Sequence, residues 1–167
     1  NLHRQRNFQN RIIDDNSMYL DRNEKFIDFP KSIKNKLSIK LSKINPGLYP
    51  NLAPFYSSLS KYYKLNKKNI FITEGVSGGI KTIIEAYSQI KKSEIVYFHP
   101  TFSMYEVYSK MFSLKEKKIP VTSDVEINFQ NLIKNISNKT TFVFLPNPNI
   151  PIENYFDLKK IKLLINK

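Results

Sequence analysis

The stretch FITEGVSGGIK, Phe71 to Lys81, holds three of only four glycines in the chain. A short apolar run, Asn69 to Thr73, leads into it, and Val76, Ile80, Ile83, Ile84 and Tyr87 leave it on one helical face. The period therefore changes at the glycines, which predicts a strand, a turn and a helix in that order. Two readings of the turn stand open. Glycine serves a plain tight turn, or it lets backbone come close to an anion. On the second reading a helix beginning near Val76 offers free N–H groups and the positive end of its dipole. Gly75 would turn the chain, and Ser77 could add a hydroxyl. Neither G-x-x-x-x-G-K-[ST] nor G-x-G-x-x-G is present.

Working outward, the same alternation recurs. Glu94 to Phe98 is a strand, and Met104, Tyr105, Tyr108, Met111 and Phe112 mark a helix. Lys118 to Val121 is a brief strand, followed by a helix through Phe129, Leu132, Ile133 and Ile136. Thr141 to Leu145 is a further strand, and Leu158, Ile161, Leu164 and Ile165 begin the last helix. The pattern predicts an α/β fold of three layers, with a mainly parallel sheet covered on both faces. Upstream, residues 1–30 are polar and irregular. Ile33, Leu37 and Leu41 mark one short helix, and Leu52, Phe55, Leu59 and Tyr62 another. Residues 1–30 read as an arm that needs another surface to pack on.

Composition narrows the function classes. The 167 residues include no cysteine, which removes disulfides, thiolate metal sites and cysteine nucleophiles. Two histidines, His3 and His99, are too few for a histidine-rich metal centre. No apolar run approaches the roughly 18 residues of a membrane span, and the N-terminus lacks a secretory core. Cytoplasm is the expected compartment. The net charge of +13 comes from lysines spread along the chain, so nucleic acid is not the expected partner. The first residue is Asn1, and the last helix is still running at Lys167, so a piece of a longer protein is expected.

In open parallel sheets ligands sit beyond the carboxyl ends of the strands. Three such ends carry unusual sequence: TEGVSGG, HPTFSMY and PNPNIPIEN. Phe102 either lies over a flat ligand or is the first core residue of its helix. His99 reads as a structural histidine. The prolines around Asn147 and Asn149 make a rigid loop that could hold an amide at a set height, or simply a structural turn.

Taken together, these loops resemble the N-terminal half of a fold-type I pyridoxal-5′-phosphate aminotransferase of class I/II, of the histidinol-phosphate aminotransferase-like branch. Leu20-Asp21-Arg22-Asn23-Glu24 matches the L-D-x-N-E arm, and Tyr49-Pro50 the Y-P turn. Thr73-Glu74-Gly75-Val76-Ser77 matches the phosphate loop, Pro100 to Tyr105 matches P-T-[YF]-x-M-Y, and Asn147-Pro148-Asn149 opens N-P-N-N-P-T-G. The likeness runs from about residue 18 to 165, and implies that 1–47 are an N-terminal arm and small-domain segment and 48–167 an incomplete cofactor-binding large domain. It implies that Gly75, Val76 and Ser77 hold the cofactor phosphate, that Phe102 stacks on the pyridine ring, and that Asn149 bonds its phenolic oxygen. It implies that Tyr49 reaches a neighbouring subunit's phosphate in a homodimer, and that Asn23 and Glu24 close over the substrate. Small-molecule amino donors and acceptors follow.

Two departures qualify the match. Ile150-Pro151-Ile152-Glu153 replaces the family's N-P-T-G, which leaves the choice between Asn147 and Asn149 open. The family's Schiff-base lysine, pyridine-nitrogen carboxylate and carboxylate-binding arginine all lie beyond the matching stretch, so this chain alone is expected to be inactive. A decarboxylase on the same scaffold shares every motif. A catalytically silent binding or dimerisation module is the rival from a different class.

Overall fold

A computed structural model describes residues 25, 27–88, 93–121, 128–152 and 155–166. The chain forms two compact units, with the boundary between Phe71 and Ile72.

In the first unit, α1 (Lys31–Leu41) follows Pro30 and α2 (Ala53–Tyr63) carries Pro54 in its first turn, where proline's missing N–H costs nothing. The end of α2 is set by Lys64 at φ 54°. Leu65 N–H reaches back to the Ser60 carbonyl (3.1 Å) and Lys64 N–H to that of Lys61 (3.4 Å), the paired bonds of a Schellman cap. Neither helix has a buried residue, and Ile33, Leu37 and Leu41 lie exposed along α1. A short 3₁₀ turn, Lys67–Asn69, closes the unit.

The second unit is an α/β sandwich. Its elements are α3 (Gly75–Tyr87), β1 (Glu94–His99), α4 (Met104–Met111), β2 (Lys115–Pro120), α5 (Phe129–Lys134), β3 (Thr140–Phe144) and α6 (Leu158–Ile165). The strands form one parallel sheet in the order β2-β1-β3. Central β1 is apolar on both faces, as a doubly covered parallel strand must be. Ile95 and Tyr97 join Ile80 and Ile84 of α3 and Tyr105 and Tyr108 of α4 in one core. Val96 and Phe98 join Phe129 and Leu132 of α5, Phe156, and the flanks of α6 in the other. The three expected layers are all present.

Two expectations need correction. The apolar run 69–73 forms no strand; Ile70 is extended, but the run joins no ladder among the described residues. A strand needs a neighbour for its backbone groups, and apolar sequence alone does not supply one. The helical stripe on α3 is also only half covered. Ile80 and Ile84 are buried, whereas Val76, Ile83 and Tyr87 are exposed. At about 100° per residue these two sets occupy adjacent flanks of the helix, and the sheet meets only one of them.

Strand order fixes where a ligand crevice falls. From β1 the chain crosses to β2 by way of α4, then returns past β1 to β3 by way of α5, on the opposite face. The connections thus diverge between β1 and β3, and in such sheets that divergence marks the place for a ligand, beyond the carboxyl ends of the two strands. Those ends lead into the loops at Pro100 and Asn147.

Candidate functional site

The approach to α3 is built by local hydrogen bonds. Gly75 N–H donates to the Thr73 carbonyl (2.8 Å) around Glu74 at φ −72°, ψ 66°, which is an inverse γ-turn. Thr73 Oγ1 in turn donates to the Gly75 carbonyl (2.9 Å). Gly75 itself sits at φ 69°, a left-handed conformation that favours glycine, and an added Cβ would meet nothing within 4 Å. Gly79 serves a different need: its Cβ would lie 3.2 Å from Thr73 Oγ1. One glycine therefore turns the chain, and another lets the first turn of the helix rest on the threonine that precedes it.

The resulting helix end is open. No side chain caps α3, its first turn carries no acid, and Glu74, Gly75 and Val76 are exposed. The first-turn N–H groups of a helix have no intrahelical acceptors, so this end suits an anion. α3 is followed in the chain by β1 and shares a core with that strand.

At the end of β1, His99 is exposed and Phe102 is half-buried. The Phe102 ring packs edge-to-face on Tyr105 (centroids 5.8 Å, 86°) at the margin of the core. At the end of β3, Asn147 is exposed and its Oδ1 accepts from Phe156 N–H (3.2 Å). Asn149 is fully buried. Its Oδ1 accepts from the Thr101 hydroxyl (2.6 Å), and its Nδ2 donates to the Pro100 carbonyl (3.3 Å). The two loops are thus joined through this buried amide. Thr101 makes the join, yet the sequence reading gave it no role; its place one residue before Phe102 was the available signal.

Of the residues singled out by sequence, Gly75, Val76, Ser77, Phe102 and Asn149 belong to one unit, Phe102 following β1 and Asn149 following β3. Tyr49 belongs to the other unit and is fully exposed. Asn23 and Glu24 lie outside the described residues. Among the described residues no group of three His, Cys, Asp or Glu could hold a metal, and no helix is long and apolar enough to cross a membrane.

Residues 32–167 match the sequence profile of the aminotransferase class I and II family. The chain belongs to that family. Among relatives of this class I/II aminotransferase chain is the histidinol-phosphate aminotransferase of Buchnera aphidicola from Cinara cedri, 31% identical, with 79% of this chain and 37% of the relative aligned. The enzyme of the same name from Clostridium novyi is 34% identical, with 79% and 38% aligned. The chain therefore spans well under half the length of these relatives. The structure of histidinol-phosphate aminotransferase from Sinorhizobium meliloti in complex with pyridoxal-5′-phosphate superposes with a TM-score of 0.66 at 15% identity, over 78% of this chain and 36% of that one. The fold expectation is met.

The cofactor of this family is pyridoxal 5′-phosphate, and the donor set of the aminotransferase chain suits it. An uncapped helix end with open space before Gly75 accommodates a dianion. Phe102 and Asn149 follow the carboxyl ends of β1 and β3.

Proposed function

We propose that this chain supplies the cofactor-binding part of a pyridoxal-phosphate-dependent aminotransferase whose substrates resemble histidinol phosphate. One observation carries the reading: an open, glycine-turned helix end in the same unit as the ring-bearing and amide-bearing loops that follow β1 and β3 of a parallel sheet. When bound, the cofactor supplies an electrophilic carbonyl and an electron-withdrawing ring. This chain's own share is binding and orientation. Val76 and Ser77 present N–H groups to the phosphate, Phe102 flanks the ring, and Asn149 fixes the edge that carries the ring hydroxyl. On this proposal residues 1–47 are the N-terminal arm and small-domain segment, with Asn23 and Glu24 serving the substrate, and 48–167 belong to the cofactor-binding large domain. Tyr49 reaches the phosphate of a second subunit in a homodimer, and the protein works in the cytoplasm. The reacting lysine comes from outside the segments that match the family, so the chain by itself binds without turning over. Both sequence relatives are aminotransferases, which favours transamination over decarboxylation on the same scaffold.

The test compares pyridoxal 5′-phosphate with pyridoxal in calorimetric titrations of the chain. A phosphate held by helix N–H groups gives the phosphorylated form an advantage of at least about tenfold. Equal affinities for the two would remove the basis of the reading.

A further inference from the structure

We infer that Thr101 is a positioning residue, whose hydroxyl fixes the Asn149 carboxamide in one orientation and so ties the loop after β3 to the loop that carries Phe102, the ring proposed to flank the cofactor. The inference rests on the cofactor reading above and assigns a role to a residue that reading leaves idle.

The argument starts from the unlike partners of a buried amide. Asn149 is fully buried, with the Pro100 carbonyl at its nitrogen end and the Thr101 hydroxyl at its oxygen end. A carbonyl only accepts, so only Nδ2 can face Pro100. Turning the amide over would set two acceptor oxygens against each other away from water, which is costly. With Nδ2 at Pro100, Oδ1 must face Thr101, and the threonine must be the donor. The two bonds use Oδ1 and one Nδ2 proton; the second Nδ2 proton is then fixed in direction by the plane of the amide.

Removing the hydroxyl leaves the amide held at one end by a 3.3 Å bond. The terminal torsion of asparagine is broad, so one weak bond does not hold it. Thr101 also directly precedes Phe102. Its hydroxyl therefore ties the loop that carries the ring to the loop that carries the amide, across the point where β1 and β3 part. The two contacts proposed for the cofactor ring are held in mutual register by this one hydrogen bond.

The experiment titrates the full chain with pyridoxal 5′-phosphate and, separately, with inorganic phosphate. Thr101→Val removes the hydroxyl at nearly constant volume, and Thr101→Ser keeps it. We expect Thr101→Val to weaken pyridoxal 5′-phosphate by about tenfold, as the loss of a buried hydrogen-bond partner does. Inorganic phosphate, bound by α3 alone, should be unaffected, and Thr101→Ser should restore cofactor affinity. Without any ligand, the Asn149 side-chain amide protons should exchange slowly with solvent in the natural and Ser proteins and faster in the Val protein. Cofactor affinity unchanged in Thr101→Val overturns the assignment, as does a Ser variant as weak as the Val variant. If Thr101→Val does not fold, the Ser variant and its amide exchange decide alone. A natural chain that takes up neither ligand defeats the cofactor reading itself, and the role of Thr101 with it.

Discussion

Two glycines in one motif serve unlike physical needs, and substitution separates them. Gly75 sits at φ 69° with open space where a side chain would go, so Gly75→Ala meets no clash but must hold a left-handed backbone. That costs about 1–2 kcal/mol. Gly79 lies inside the helix, where alanine gains up to about 1 kcal/mol in propensity. Against this, a Cβ 3.2 Å from Thr73 Oγ1 makes that side chain give way. Urea denaturation should show a clear loss for Gly75→Ala and a smaller one, or none, for Gly79→Ala. The reverse order would mean that the turn at Glu74 is not as described. The same two residues show what the sequence could reveal. Three glycines between an apolar run and a helical stripe located the turn. Which glycine answers to φ and which to a neighbouring side chain depends on the placement of Thr73, which no local pattern encodes. Asn149 was found through its prolines, but its partner Thr101 stands 48 residues away, and a pairing at that distance leaves no periodic trace.

At the scale of elements, charge organises the outer side of the sheet. Strand β2, KEKKIP, borders the sheet among the described strands, and its lysines blunt that edge. Only its apolar end, Lys118 onward, was legible as strand, because an edge strand need not be apolar. The run 69–73 fails the opposite way: it is apolar enough for a strand but joins no ladder among the described residues. Across β2, Lys118 reaches Glu106 of α4 at 3.0 Å, and Lys110 reaches it at 2.6 Å from one turn further on. These hydrogen bonds, Lys110's first, hold the Glu106 carboxyl at about 2, below its ordinary 4.5. A depressed carboxyl stabilises the fold above its unfolded value. That contribution is lost as pH falls from about 5 toward 2. Glu106 is about one-third exposed, so solvent screening limits the effect to about 0.5–1 kcal/mol. Glu94, lowered chiefly by Lys117, acts with the same sign. Thermal unfolding of Glu106→Gln should therefore show lower stability at neutral pH and a shallower decline into acid. A decline as steep as in the natural chain would show that the two lysines contribute nothing there.

For the molecule as a whole, two opposing surface properties set behaviour in solution. The net charge of +13 drives copies apart. Apolar side chains draw them together: Ile33, Leu37 and Leu41 are exposed in one unit, and Val76, Ile83 and Tyr87 in the other. Exposed apolar surface on this scale favours association at micromolar to millimolar concentration. The balance depends on salt, because the screening length shortens from about 10 Å at 0.1 M to about 3 Å at 1 M. Repulsion therefore fades with salt, while hydrophobic contact does not. Sedimentation measurements should give a weight-average mass that rises with both protein and salt concentration. Lysine-to-glutamine changes on α1, at Lys36 and Lys40, should shift the rise to lower salt. A mass that falls with salt would point instead to association through charge, and the uncovered stripes of α1 and α3 would then have no part in it.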